Sequence, residues 1–354
     1  MQSVYGLPYG TLKVQKTQFL HRSDYENMLR LSSISDFINF LNDRGYREDF
    51  SAYSQTYQGL ELLEAANNRH LARQNRFALT VTPQNGKDLI VSYLTKWDIQ
   101  NLKTIMVSKN LNYKVEQTEM YLVSENNQPL GLFAGLMDSN DYKNLLGMDR
   151  IEDIVSYTLK FGYGKALLTY LDDFRKSNNL SSLLLSLDLY YYDLMKEKFR
   201  FYTGSEGPIY RFIRKTIDIK NIMTILRFLE YSMEQDPKDY ILTGGGLPSQ
   251  VMDDISKSQS VEEVTQKLKS YFDLTKGLDF YKRRGSLVGI EGELNRNIYW
   301  EFLEIFEMSS LSLNNIMAFL MRVEAEWKDV RTIAMSKFYG IDEETIKMIS
   351  INLG

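Results

Sequence analysis

A helix-forming sequence that occurs three times constrains this chain more than any other feature. Residues 93–109 read YLTKWDIQNLKTIMVSK; KTIDIKNIMTILRF begins at 215 and AEWKDVRTIAMSKFYG at 325. On a wheel advancing about 100° per residue, Leu94, Ile99, Leu102, Ile105 and Met106 form one apolar arc with Trp97 at its edge. Asp98 and Asn101 fall inside the arc, while Gln100, Lys103 and Thr104 point away. A polar pair on the oily side of a helix must find hydrogen-bond partners there, because buried polar groups are paired.

The repeat is wider than one helix. Aligning Asp98, Asp218 and Asp329 gives intervals of 120 and 111 residues. A second element, NMLRLSSISDFINFL, NLLGMDRIEDIVSYTL and DISKSQSVEEVTQKL, aligns Ile34, Ile151 and Val261 at intervals of 117 and 110. Met28, Leu145 and Ile255 then fall in register, as do Asp36, Asp153 and Glu263. A third element places Asp188 and Asn295 four residues ahead of Tyr192 and Tyr299. The period exceeds that of helical solenoids, whose repeats run about 20 to 50 residues. The reading is an all-α chain of three similar helical domains, 1–126, 127–240 and 241–354, in a pseudo-threefold arrangement. The boundaries fall in NNQP, 126–129, and DPKDYILTGGG, 236–246, where turn-forming residues gather. RFALTVTP, 76–83, is the best strand candidate, but without a hairpin partner it reads as a helix end or a loop.

Composition narrows the chemistry. Lys and Arg number 42 against 46 Asp and Glu, a net charge of −4, so no bulk attraction draws the chain to nucleic acid or anionic lipid. Cysteine is absent, which removes disulfides, thiolate metal sites and thiol nucleophiles together. His21 and His70 stand 49 positions apart, too far for a helical or short-loop metal pair, and both read as structural residues. No apolar run approaches the roughly 18 to 20 residues of a membrane span. The N-terminus MQSVYGLPYGTLKVQ lacks the pattern of a signal peptide, so a cytoplasmic chain is expected.

Four kinds of stretch invite a site. Asp98 with Asn101, Asp218 with Asn221 and Asp329 with Thr332 would be a catalytic pair built three times with no nucleophile or metal ligand beside it. A structural polar clasp to a neighbouring helix or its tyrosines is favoured. LTGGGLPSQ, 242–250, lacks the Lys and Ser/Thr of a phosphate loop and reads as a domain junction. The acidic pairs in LDDF, 171–174, and MDDI, 252–255, look like fragments of magnesium-binding prenyl-chain enzymes, but solvated helix faces produce such pairs routinely. KFRFYTGSEGPIYRFIRK, 198–215, mixes basic and aromatic residues as single-strand binders do. Against the negative net charge it reads as an interdomain turn. No catalytic residue, cofactor site or metal site is assigned. Gln100, Lys220 and Arg331 occupy matching outward positions in this alignment and are the candidates for contact with a partner.

The motifs KWDIQNLKTI, TIDIKNIMTI and EWKDVRTIAM, with LDLYYYDLM, DYENML, DYKNLL and the closing VRTIAMSKFYGI, make the chain resemble the C subunit of V-type (A-type) ATPases. The eukaryotic counterpart is called the d subunit, and the likeness covers nearly the whole length. It implies a funnel of three helical domains, seated on the membrane proteolipid ring and receiving the tip of a central shaft of D- and F-type subunits. It also implies a non-catalytic rotor part without cofactor, nucleic-acid partner or membrane span of its own. Such a part passes torque between ATP chemistry and ion movement, peripheral on the cytoplasmic face. Whether Na⁺ or H⁺ moves is written in other subunits. Two alternatives stay open on the residues alone: a helical scaffold or adaptor of another kind, and a magnesium-dependent isoprenoid-type helical enzyme.

Overall fold

The computed structural model describes residues 4–115, 118, 122, 124–125, 128–129, 137–200, 207–233, 236–309 and 311–354. The expected junction at 126–127 and the 201–206 part of the basic–aromatic stretch lie outside the described residues. Those described form eighteen α-helices, numbered α1 to α18. The only strands among them are the antiparallel two-residue pair Ser124–Glu125 and Gln128–Pro129. The chain is all-α.

Two compact units are distinguished: residues 1–19 with 33–199, and residues 20–32 with 200–354. The first holds α1 (Gly6–Gln15), α3 (Ile34–Leu41), α4 (Arg47–Tyr53), α5 (Gly59–Val81) and α6 (Gln84–Asn110). It continues with α7 (Ser139–Leu146), α8 (Ile151–Thr158), α9 (Tyr163–Leu168), α10 (Leu171–Ser177) and α11 (Ser181–Phe199). RFALTVTP contributes the last turn of α5, so its apolar run is a helix end. The second unit holds α2 (Arg22–Arg30), α12 (Gly207–Glu230), α13 (Ser249–Ser256), α14 (Val261–Leu268) and α15 (Thr275–Arg284). α16 (Val288–Met308), α17 (Leu313–Phe338) and α18 (Glu343–Ile349) complete it.

Local sequence explains where these helices begin. Ser33, Asp138, Ser260, Ser312 and Asp342 each accept a backbone N–H from the first turn that follows, and so satisfy donors that a helix start leaves open. Long helices then need partners, since most helical stability comes from burying an apolar face. In the first unit α6 packs on α5 and α11; Tyr191 donates to the carbonyl of Tyr93 at 3.1 Å and Lys103 pairs with Asp188 at 2.6 Å. In the second, α16 is the hub, touching α12, α15, α17 and α18. Phe212, Phe302 and Phe306 meet there with centroids 5.4 to 5.8 Å apart. Each such ring or aliphatic chain fully withdrawn from water contributes about 1.5 to 3 kcal/mol before ordering costs.

Candidate functional site: the buried polar clasps

The residues singled out in the repeated helix sit on α6, α12 and α17. On α6, Asp98 and Asn101 are both 0% exposed. The Tyr142 hydroxyl of α7 donates to Asp98 Oδ1 at 2.7 Å, and the Tyr163 hydroxyl of α9 donates to Oδ2 at 2.9 Å. Burial, and then the Asp98 charge, push the Tyr142 hydroxyl well above the ordinary tyrosine value. It therefore stays protonated and keeps donating.

On α12 the partners are backbone groups. Asp218 Oδ2 accepts from the N–H groups of Gly246 and Leu247 at 2.8 and 3.0 Å. Asn221 bonds Leu242 twice, donating to its carbonyl at 2.9 Å and accepting from its N–H at 2.8 Å. Arg214 holds the Gly245 carbonyl through Nε and Nη2 at 3.0 and 2.7 Å. The glycine loop thus turns its amides toward an anion, as a phosphate loop would, but the anion is the protein's own carboxylate. A Cβ on Gly245 would lie 2.0 Å from Asp218 Oδ1, so the approach requires glycine.

On α17, Asp329 Oδ1 accepts from Ile351 N–H, and Oδ2 from the backbone and side-chain N–H groups of Asn352, all at 2.8 Å. One turn earlier the buried Glu326 accepts from Leu20 N–H at 2.7 Å. Burial raises the pKa of the Asp218 and Asp329 carboxyls, against the downward pull of the backbone donors.

The helix ends correct the alignment of the third copy. Each of α6, α12 and α17 closes on one left-handed residue, Asn112, Ser232 or Gly340. The next N–H then donates back to the carbonyl five residues earlier: Tyr113 to Ser108, Met233 to Phe228 and Ile341 to Ser336. This is one Schellman cap made three times. In that register Glu326 matches Asp98 and Asp218, and Asp329 matches Asn101 and Asn221. Alignment by residue type places Asp329 three residues out of step. Thr332, half-buried, matches Thr104 and Thr224 instead. Among the candidate contact residues Gln100 and Lys220 are exposed, whereas Arg331 is half-buried and matches Lys103.

One charged cluster had no distinguishing sequence signal. Asp49 of α4 is 0% exposed and is held by Arg69, by His70 Nδ1 at 2.8 Å and by Arg73 at 2.7 Å. Burial works to raise its pKa, but the hydrogen bonds and charges of His70 and Arg73 outweigh it and bring the value down to about 2. His70 also stacks on Tyr46 at 3.8 Å. Asp172 and Asp173 lie exposed on α10, and Asp172 pairs with Arg175. Among the described residues no group of three His, Asp or Glu side chains is placed to hold a metal ion, and no helix is long and apolar enough to cross a membrane.

The fold and its clasps therefore define an all-helical protein built on a repeated long helix, with acids on those helices engaged by the chain's own hydrogen-bond donors. Residues 8–349 match the family model described as the ATP synthase (C/AC39) subunit, and the chain belongs to that family. It is 33% identical over 353 residues to the C subunit of the A-type ATP synthase of Thermoplasma volcanium, with 99% of each chain covered. To the corresponding C subunit of Thermoplasma acidophilum it is 35% identical at the same coverage. That of Haloferax volcanii is 24% identical, with 95% of this chain and 94% of that protein covered.

Proposed function

We propose that this chain is the non-catalytic central-stalk subunit of a rotary A/V-type ATPase, a socket that couples the central shaft to the membrane proteolipid ring and turns with both. The observation that carries the reading is similarity over essentially the whole length to proteins named as the C subunit of A-type ATP synthases. The engagement of Asp98, Asp218 and Asp329 by internal donors supports it, because carboxylates held in that way fix helix packing. The partners are shaft subunits of D and F type and the proteolipid ring. The chain sits peripherally on the cytoplasmic face, without a cofactor. The exposed Gln100 and Lys220 lead the contact candidates, with Arg331 behind them. The three-domain division and the funnel belong to the same proposal.

Removing the chain from the complex tests it. The head should continue to hydrolyse ATP while ATP-driven ion transport stops, since torque then has no rigid path to the ring. Transport that persists in membranes lacking the chain sinks the coupling role.

A further inference from the structure

Three short helices stand at matching places in the sequence: α2, α7 and α13, aligned at Met28, Leu145 and Ile255, all fully buried. Each docks on the long helix of the copy before it. α7 meets α6, where Lys109 donates to the Leu146 carbonyl at 2.5 Å and Tyr142 to Asp98. α13 packs on α12 and follows directly on the Gly246 and Leu247 amides that bind Asp218. The first copy has none before it, and its α2 docks on α17 of the third.

Each of two contacts of α2 has its match in one of the other copies. Lys337, the match of Lys109, donates to the carbonyl of Leu29, the match of Leu146, at 2.6 Å. Leu20 N–H, the match of Leu247, donates to Glu326, the match of Asp218, at 2.7 Å. The exchange of short helices is therefore cyclic in connectivity, and α2 closes it.

That closing link spans far more of the chain than the first. Lys109 and Leu146 are 37 residues apart in the chain, Lys337 and Leu29 are 308 apart. With so much folded chain between them, α2 is held on α17 by its own contacts and not by a short connection. Helix α2 is also set off from its neighbours in the chain. Phe19 (φ −66°, ψ 148°) and Leu31 (φ −65°, ψ 140°) are extended residues on either side of it. Between them Asp24 accepts from the His21 N–H at 2.9 Å, and the His21 carbonyl accepts from the N–H groups of Asp24 and Tyr25, so these bonds are made within the segment. Lifting α2 requires no helix to unwind.

We propose that Leu20–Ser32 is a releasable strap, the closure of this cyclic exchange and the point at which it opens. Where the chain serves as a socket, the strap gives a partner a way in and out without unfolding; that consequence alone rests on the socket reading.

Hydrogen exchange read by mass spectrometry on the intact chain tests the strap directly, without any partner. The amides of α2 should exchange about tenfold or more faster than those of α7 and α13, through local opening. Lys337→Met should speed α2 by a further factor of about ten, the size of one charged hydrogen bond, and leave α7 unchanged. The matched change Lys109→Met should leave α2 unchanged. The proposal fails if α2 exchanges no faster than its two matches, if Lys337→Met does not move it, or if that change speeds all three helices together.

Discussion

Asp98 and Asp218 occupy the same position on two matching helices, yet one is held by side chains and the other by backbone. Asp98 takes two tyrosine hydroxyls, from residues 44 and 65 positions away. Asp218 takes two consecutive amides of a glycine loop 28 and 29 positions away. The difference teaches where each clasp is fragile. A hydroxyl can be deleted without moving the chain, so the first clasp fails gradually. An amide is fixed by the path of the loop, so the second tolerates little change in that path.

Three substitutions exploit the contrast, and unfolding of the full chain by urea or heat reads them all. Gly245→Ala should have the largest effect, because its Cβ would meet Asp218 Oδ1 at 2.0 Å and force the loop away; overpacking of this kind costs about 3 kcal/mol. An unchanged midpoint would mean that the loop moves aside freely and the backbone clasp is not rigid. Next comes Asn221→Leu, which strands both the N–H and the carbonyl of Leu242 at about 2 kcal/mol. Tyr142→Phe should cost less, about 1.5 kcal/mol, because Tyr163 still serves the other oxygen of Asp98. If Tyr142→Phe proves more damaging than Gly245→Ala, the ranking of the two clasps is reversed.

The repeated helices were legible in the sequence because an apolar period of 3.6 survives in each copy, and Asp98 and Asn101 could be placed on the inner face for the same reason. The identity of their partners was only half legible. A tyrosine can be suspected from its type, but the amides of Gly246, Leu247, Ile351 and Asn352 carry no signature, since every residue except proline has one. The register of the third copy was misread because Glu326 and Asp329 lie one turn apart and both are acids. The left-handed cap decides between them, and it is Asn, Ser and Gly in the three copies, with no common letter to align. Asp49 was invisible because an acid in a short amphipathic helix normally faces water.

Acid titration sharpens the comparison further, between carboxyls held only by neutral donors and one held by cations. Asp49 has its value lowered to about 2 by His70 and Arg73 against the pull of burial. Its stabilising contribution is complete above the ordinary value of 3.8 and is lost as pH falls from there toward 2. Asp218 is shifted the other way: burial raises it, and its buried Oδ1 has no hydrogen-bond partner among the described atoms. Its folded form takes up a proton before the unfolded chain does. That contribution is therefore complete below 3.8 and is lost as pH rises through the raised value. Between pH 7 and 4 the two groups do not overlap, and Asp218→Asn isolates the second. The amide oxygen can still accept from Gly246 and Leu247, while the charge is gone. Over this range the wild type should gain stability relative to Asp218→Asn as pH falls, an effect smaller than that of any of the three substitutions above. Melting temperatures that keep a constant difference from pH 7 to 4 would show that the carboxyl of Asp218 titrates normally, and that two backbone amides suffice to hold a buried charge.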